Sequence, residues 1–373
     1  MTKVSDILGF IDKIAPMPLA EKWDNPGLQV GDPGEGARRI MVALDPSPKV
    51  IKEALLSGCN ILVTHHPLIF KPISTISADT PLGRSIHEAI ENRLSIIALH
   101  TNYDIAEGGL NDLLAEKTGL SSSIPLQVTS TRELVKLVIF VPDEQFEVVR
   151  NALLPFAKNL GNYSDCSFAS DGQGTFTPLE GSTPFKGKRG ELEEVSEKRL
   201  ELLLDRENLS RAISKMFMTH PYEEPAFDVY PLQNKGQDIG LGRIGELPKP
   251  LSLEKFASKV AEVLHYPNLR YVGEPSKMIR RVAICSGSGA SLVGAAKSAG
   301  ADLLLTGDVR YHDAMHALDI GLALIDAGHF QTEMIMAESV ASRLRVMLTE
   351  SGDPDCQVIC SRGECDPFTV FKP

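Results

Sequence analysis

A chain of 373 residues with 43% hydrophobic and 23% charged residues is long enough for two or three domains. Its composition is that of a soluble globular protein, which excludes the disordered and fibrous classes. The net charge of -11 argues against a general nucleic-acid binder, because phosphate contact needs a basic face. It does not argue against a small anionic substrate, since a bound metal can dominate the local charge.

The first part of the chain, residues 1–127, alternates strands and helices, which is typical of parallel βαβ units. Residues 23–31 carry the only tryptophan among turn residues, and we interpret them as a structural loop anchored by the indole of Trp23. The elements predicted here are a helix at 5–15, a strand at 39–45, a helix at 50–57, a strand at 60–63, a helix at 80–92, a strand at 94–99 and a helix at 111–118.

The middle, residues 128–240, has a different pattern, which fits a small ferredoxin-like α+β domain. Residues 180–198 are charged and glycine-rich and are predicted to form a mobile loop. The predicted elements are a strand at 134–141, a helix at 143–158, short strands at 163–169 and 174–178 around a glycine-rich turn, a strand at 198–204, a helix at 208–218 and a strand at 226–230.

The α/β pattern then returns in residues 241–373. We therefore predict a discontinuous α/β core with mixed or parallel sheets, made of 1–127 and 241–373, into which 128–240 is inserted. The predicted elements are a helix at 253–264, strands at 281–285 and 302–306, a helix at 290–299, a strand at 322–325 and a long helix that ends near 348.

Histidines and carboxylates follow three of the apolar strands. His65 and His66 come directly after one strand, and Asp104 lies shortly after another. His329 and Glu333 are spaced i, i+4 at a helix start, so they can share one helix face. Because open α/β sheets place their sites at the carboxyl ends of strands, we expect these side chains to converge on a metal site.

Neutral imidazole and carboxylate are the usual ligands of zinc, iron and manganese. Adjacent side chains such as His65 and His66 diverge, so two ions could take one each, with Glu333 as a bridge. The alternative is that these are separate buried or surface polar residues. His100 is open to three roles: ligand, orienting partner or proton shuttle.

Two further groups are candidates for the site. The turn at 286–289 has the sequence Ser-Gly-Ser-Gly, and its backbone N–H groups could hold a phosphate. Asp308 and His312 follow another strand end, where structural use is at least as plausible as function, and His312 is a candidate for the rim of the site. The six scattered cysteines, without a Cys-x-x-Cys pair, predict reduced thiols. The polar start predicts no signal peptide, no apolar run approaches membrane-span length, and the expected location is cytoplasmic.

Several stretches together resemble the GTP cyclohydrolase 1 type 2-like family, also called Nif-three-like, of dinuclear metal proteins. The segment 220–226, His-Pro-Tyr-Glu-Glu-Pro-Ala, belongs to a middle part that is similar to the PII-like insert of the long bacterial members. Tyr103 stands where the family usually has leucine, and Phe330 where tyrosine or serine is common. The matching stretches in the core are 23–31, Thr64–Pro67, His100–Asp104, Thr306–Asp308 with Tyr311 and His312, and Gly328–Glu333.

The resemblance implies a fold with a PII-like insert and a site for two divalent ions per chain, with zinc favoured over iron or manganese. It places the ligands on five residues, with Glu333 bridging. It also implies a homohexamer, built as rings of three that stack with the metal sites facing an internal cavity. The implied ligands are His65, His66, Asp104, His329 and Glu333.

Two functions follow as expectations. The first is a metal-dependent hydrolase that opens the imidazole ring of GTP at C8 or cleaves a phosphoester, with His100 or His312 moving protons and the triphosphate on the 286–289 turn. The second is a non-catalytic metal-binding or regulatory hexamer, which would have closed metal sites. DNA binding through the centre of the ring is disfavoured by the charge of -11.

Overall fold

The computed structural model describes residues 2–371 and divides into two compact units. The central unit is Ser130–Asp238, and the two-segment unit consists of the described residues up to Thr129 and from Ile239. Within residues 2–371, no helix has the length and apolar character needed to cross a membrane.

The strands of the described chain form three sheets. They are β1 (Gly27–Val30), β2 (Arg39–Ala43), β3 (Ile61–Thr64), β4 (Ser95–Ala98), β5 (Ser121–Thr131), β6 (Leu134–Pro142), β7 (Ser167–Phe176), β8 (Glu193–Asp205), β9 (Phe227–Pro231), β10 (Asp238–Ser252), β11 (Arg270–Val272), β12 (Met278–Ile284), β13 (Leu303–Thr306), β14 (Ala323–Asp326) and β15 (Gln357–Cys360).

The α-helices range from single turns to four turns. They are α1 (Val4–Ile14), α2 (Pro48–Leu56), α3 (Pro81–Glu91), α4 (Thr101–Ile105), α5 (Leu110–Thr118), α6 (Phe146–Leu153), α7 (Leu209–Thr219), α8 (Leu253–Val263), α9 (Val293–Ser298), α10 (Tyr311–Asp319), α11 (His329–Glu333) and α12 (Met336–Glu350). Short 3₁₀ turns lie at Met17–Leu19, Asp143–Gln145, Leu154–Phe156, Arg206–Asn208 and Ala290–Leu292.

The first sheet has the order β1-β4-β3-β2-β15, with all neighbours parallel except β1, which runs antiparallel to β4. Its inner strands are apolar on two faces. Ile40 and Val42 face α1 and α12, whereas Met41 and Ala43 face α2 and α3. A strand buried on two faces needs an uninterrupted apolar run, which is why the sequence shows no polar alternation here.

The second sheet has the order β11-β14-β13-β12-β10-β5 and a parallel centre of β12, β13 and β14. Leu303 and Leu305 pack on the side of α5 and α8, and Leu304 packs on the side of α9 and α10. The predicted mixed α/β class with parallel sheets is confirmed. The parallel centres matter for function because they align the carboxyl ends of neighbouring strands.

The central unit is built on an antiparallel sheet with the order β7-β8-β6-β9. Its core consists of alternate residues of β6 and β8, such as Leu137 and Leu202, against α6 and α7. The assignment of residues 128–240 to a PII-like insertion stays a prediction.

Several predicted local structures differ from those observed. Residues 163–169 and 174–178 do not form two strands around a turn. One strand, β7, runs through Gly172 and Gly174 and pairs with β8 along its whole length. Glycine inside a strand marks a close approach of other atoms, and Gly174 lies against the Glu197 side chain.

The loop prediction for residues 23–31 is also partly wrong, because Gly27–Val30 is strand β1. The indole of Trp23 does not anchor this segment in the core, because the residue is 58% exposed. The helix predicted at 143–158 is shorter, since α6 ends at Leu153 and Pro155 follows within a 3₁₀ turn. The predicted mobile loop is shortened from its carboxyl end, because β8 begins at Glu193.

Candidate metal centre

The predicted ligands stand where parallel strands end in the two-segment unit. His65 and His66 follow β3 directly, and His100 follows β4, its parallel neighbour. His329 follows β14 in the second sheet. Strand ends present side chains on rigid supports, which is where open α/β folds hold their ligands.

Two short helices add the carboxylates. α4 carries Asp104, and α11 begins at His329 and ends at Glu333. The i, i+4 spacing on α11 brings His329 Nε2 to 2.9 Å from Glu333 Oε2, as the sequence predicts.

The five side chains implied as ligands converge on one point. His65 Nε2 lies 3.7 Å from Glu333 Oε1 and 3.8 Å from Asp104 Oδ1. His66 Nε2 lies 3.1 Å from Glu333 Oε2 and 3.5 Å from His329 Nε2. Donor atoms that each lie about 2.1 Å from one ion are roughly 3.0–3.4 Å apart at octahedral or tetrahedral angles. The observed separations are close to this range.

Each imidazole of the cluster is held through Nδ1, the ring nitrogen that does not face the cluster. Each Nδ1 contacts an oxygen, so the tautomer with hydrogen on Nδ1 directs the Nε2 lone pair into the cluster. The contacts are His65 with the Leu99 carbonyl at 2.9 Å, His66 with Asp45 at 2.7 Å, His100 with Asp24 at 2.8 Å and His329 with Asp308 at 2.7 Å.

Two buried atoms of the cluster have no hydrogen-bond partner. They are His65 Nε2 and Glu333 Oε2. The Glu333 oxygen is close to two imidazoles, but neither contact has hydrogen-bond geometry. Leaving such atoms unsatisfied costs about 1–3 kcal/mol each and more for a charged group. Divalent cations bound within the cluster would satisfy both atoms, so the donor set fits metal binding.

The pKa values show how strongly the cluster favours cations. Burial lowers the pKa of His66, but Asp45 and Glu333 outweigh this and raise it to about 10. The close approach of Glu333, supported by Asp308 and opposed by burial, raises the pKa of His329 to about 9. Burial alone would raise the pKa of Glu333, but the surrounding imidazoles hold it well below its usual value. Glu333 is therefore an anion, which a metal ion or protonated histidines must balance.

The glycine-rich turn has another role than the one predicted. The amides of Ser286, Gly287 and Gly289 already donate to Asn111, Thr332 and Thr306, so they are not free for a phosphate. The prediction of a phosphate cradle at these amides is wrong. The Ser286 hydroxyl instead donates to Asp104 at 3.0 Å.

Gly287 is required for space. A Cβ atom at this position would lie 2.1 Å from Glu333 Oε1, and its φ of +58° also disfavours a side chain. The turn thus lets the backbone approach the ligands and orients one of them.

The two proton-shuttle candidates differ. His100 lies within the cluster, with its ring 5.1 Å from the ring of His65 and 5.6 Å from that of His66. Its ligand atom also groups with those of His65 and His66 as a potential metal set. His312 is exposed on α10, where its ring contacts Tyr311, and no contact in the described chain joins it to the cluster.

Sequence reasoning missed the carboxylates that orient the histidines. Asp45 ends a predicted strand, and Asp24 lies in the tryptophan loop, but neither position indicates its imidazole partner. Glu364 was missed as well. Its carboxylate accepts hydrogen bonds from the amides of Leu44 and Asp45, which fixes the backbone next to His66.

A cavity of about 830 Å³ opens beside the cluster and is lined by His66 and His329. Tyr266, Phe330 and Arg310 form other parts of its wall. This size is ample for a small-molecule ligand. Phe330, which departs from the usual family residue, therefore faces the space next to the candidate ligands.

Comparison with known proteins places these features in a family. The family profile Duf34/NIF3 (NGG1p interacting factor 3) matches residues 2–367. The chain belongs to the Duf34/NIF3 family. It is 42% identical to the GTP cyclohydrolase 1 type 2 homolog of Halalkalibacterium halodurans over 366 residues, covering 98% of each chain. Identity to the protein of the same name from Bacillus subtilis is 38%, with the same coverage.

The fold is shared as well. A crystal structure of a Bacillus cereus protein related to NIF3 superposes with a TM-score of 0.91 at 38% identity and 99% coverage of each chain. The family assignment made from sequence motifs is confirmed. The Duf34/NIF3 chain described here therefore carries a histidine and glutamate cluster that could bind a metal.

Proposed function

We propose that this protein is a metal-dependent hydrolase with two divalent ions per chain. The observation that carries the proposal is the position of Glu333, whose two carboxylate oxygens face different partners. Oε1 is nearest His65, and Oε2 lies between His66 and His329. A bridging carboxylate needs this arrangement.

One ion would be held by His65, Asp104 and Glu333 Oε1, and the other by His66, His329 and Glu333 Oε2. Zinc suits this donor set best, and iron or manganese also accept it. When bound, such ions supply a Lewis acid that activates water and stabilises the charge that develops in hydrolysis. The buried Glu333 would contribute one carboxylate oxygen to each ion.

We propose a purine nucleotide as the substrate class, with opening of the GTP ring as the reaction. The names of the relatives from Halalkalibacterium halodurans and Bacillus subtilis support this. In the cavity, Tyr266 and Phe330 offer aromatic surface to a base, and Arg310 offers a cation to phosphate oxygens. His100, whose Nδ1 contacts Asp24, would move a proton in this reaction. Hydrolysis of a phosphoester would use the same residues.

The alternative is a non-catalytic metal-binding or regulatory protein, which would close its metal sites. The side chains of His66 and His329 are 25% and 34% exposed and line the cavity, whereas that of His65 is fully buried. An open side next to two of the ligands favours catalysis.

The test begins with metal content, measured by elemental analysis of untagged protein purified without chelator. We expect two ions per chain in the wild type and fewer in Glu333→Ala, with Glu338→Ala, an exposed neighbour, as the matched control. GTP and phosphodiesters are then assayed with each metal. An equal metal content in wild type and Glu333→Ala would overturn the bridged centre. Two ions without turnover of any nucleotide or phosphoester would favour the non-catalytic alternative.

We also propose that the protein is a homohexamer, as the family resemblance implies. Sedimentation equilibrium should give six times the chain mass of 40.6 kDa. A monomer or dimer at micromolar concentration would contradict the proposal.

A further inference from the structure

A second cavity lies entirely within the central unit and has a volume of about 730 Å³. Strand β7 and the segment after it form one part of the wall, and residues 220–226 form another. This is the His-Pro-Tyr-Glu-Glu-Pro-Ala stretch, for which the metal centre has no use. The cavity therefore gives a structural role to a motif that the proposed function leaves unexplained.

The motif is fixed by its histidine. His220 Nε2 donates to the Phe140 carbonyl oxygen at 3.0 Å, and the Tyr222 amide donates to His220 Nδ1 at 3.1 Å. One ring nitrogen is thus a donor and the other an acceptor, which is the pattern of neutral imidazole. His220 has a structural role, because these two hydrogen bonds set the position of Tyr222 in the cavity wall.

Glu197 is the buried acid of this cavity. It is only 8% exposed and accepts a hydrogen bond from the Tyr222 hydroxyl at 3.0 Å. Gly174 makes room for it, because a Cβ atom there would lie 2.2 Å from Glu197 Oε2. A carboxylate that is this buried is costly unless a cation or several donors balance it.

The neighbouring cations are paired elsewhere. Lys198 pairs with Asp171, and Arg199 pairs with Glu201 at 2.9 Å. Among residues 2–371, no lysine, arginine or histidine forms an ion pair with Glu197, and the Tyr222 hydroxyl that donates to it is neutral. Arg199 also lines the cavity, but it pairs with Glu201, so the buried Glu197 has no ion-pair partner among the described residues.

Aromatic rings line the same cavity as this acid. The Tyr222 ring lies 5.7 Å from that of Phe176 and 6.1 Å from that of Phe185, and all three line the cavity. Aromatic faces attract organic cations, and an apolar wall receives the hydrocarbon part of such a ligand. A metal ion would find only one buried carboxylate here, without imidazole or thiolate.

We propose that this cavity binds an organic cation, namely a protonated amine or amidine attached to an apolar group. The cationic end pairs with Glu197, and the apolar body lies against Phe176, Phe185 and Tyr222. The acid supplies specificity for charge, and the rings supply contact area. The proposal does not depend on the hydrolase function, since no residue of the metal centre takes part.

The test uses the full-length protein and two probes of the same shape. Benzamidinium carries a positive charge, and benzamide is its neutral counterpart. Isothermal titration calorimetry should show benzamidinium binding at least about tenfold more tightly than benzamide, because hydrogen bonds to charged groups contribute about 1.5–3 kcal/mol. In Glu197→Gln the preference should disappear.

The matched control is Glu224→Gln, which removes an exposed acid of the same cavity wall and should keep the preference within about threefold. If Glu197→Gln fails to fold, Gly174→Ala takes its place, since the added methyl group displaces the carboxylate without changing charge. Equal binding of the two probes, no binding of benzamidinium, or equal loss in the Glu224 variant would overturn the proposal. A changed oligomeric state of Glu197→Gln with unchanged benzamidinium binding would also overturn it and identify the cavity as a subunit interface.

Discussion

The two units each bury a glutamate next to a cavity, and they surround it differently. Glu333, 4% exposed, is enclosed by imidazoles whose Nδ1 atoms are fixed by oxygen acceptors. Glu197, 8% exposed, accepts a hydrogen bond from one tyrosine hydroxyl and shares its cavity with phenyl rings. Nitrogen lone pairs directed at one point bind an inorganic ion, whereas ring faces bind an organic one. The neighbours of a buried acid, more than the acid itself, select its partner.

The largest expected effect is that substitution of either buried glutamate impairs ligand binding at its own site only. Glu333→Gln should lower metal affinity by more than the 10- to 100-fold typical of losing a group that only orients a ligand. Glu333→Gln should leave benzamidinium binding unchanged. Glu197→Gln should weaken benzamidinium binding and leave metal affinity unchanged. Metal competition titration measures the metal affinity of the two variants, and calorimetry measures their benzamidinium affinity. If either substitution impaired both ligands, the sites would not be independent.

The next prediction tests whether metal binding at the first site needs the oxygen atoms that accept from the histidine Nδ1 atoms. Asp308→Ala removes the partner of His329 Nδ1 and frees that ring to rotate. Metal affinity should fall about 10- to 100-fold while the ligands themselves are unchanged. Asp319→Ala, at the exposed end of α10, is the control. An unchanged affinity in Asp308→Ala would show that packing alone orients the histidine.

A smaller effect concerns stability and pH. Burial opposes ionisation of Asp24, but hydrogen bonds from His100 and Thr101 lower its pKa from 3.8 to about 2. A depressed folded-state pKa contributes stability above the unfolded pKa of 3.8, and this contribution is lost as the pH falls towards 2. Asp24→Asn should cost about 1–2 kcal/mol at pH 7, allowing for partial solvent screening.

The difference in the free energy of unfolding between wild type and Asp24→Asn should become smaller as the pH falls from about 4 to about 2. Urea unfolding measures this difference. Asp319→Asn serves as an exposed control and should show no such window. A difference in unfolding free energy that stays constant over this pH range would show that altered packing, and not the charge of Asp24, causes the destabilisation.

The smallest effect uses the single tryptophan as a reporter of one site. Trp23 is 58% exposed, and its ring lies 6.0 Å from that of His100. Cobalt titration should partly quench its fluorescence, and Glu333→Gln should remove the quench. Benzamidinium, bound in the central unit, should leave the emission unchanged. A change with benzamidinium would show that the two units communicate.

Much of the first site was predictable because its ligands are close to strand ends. Apolar runs identify β3 and β14, and the polar residues that follow them are visible in the sequence. The spacing of His329 and Glu333 also predicts their contact. The orienting residues were not predictable, because Asp24 and Asp308 meet their histidines across 76 and 21 residues of chain.

The second site was harder to predict. The glycines of β7 read as a turn, since the sequence does not show that Glu197 from β8 needs the space beside Gly174. The error in the strand therefore concealed the cavity. Short elements such as β1 and β15 were missed for a related reason: four residues carry too little periodicity to stand out from a loop.

The sequence by itself determined the family, the α/β class and the residue types of the candidate metal site, because these depend on local runs and motifs. Tertiary structure decided which oxygen holds each imidazole, why three amides of the glycine-rich turn are unavailable to phosphate, and that Glu197 has no ion-pair partner among the described residues. These features depend on distances between side chains far apart in the chain. Packing fixes those distances, and no local pattern encodes them.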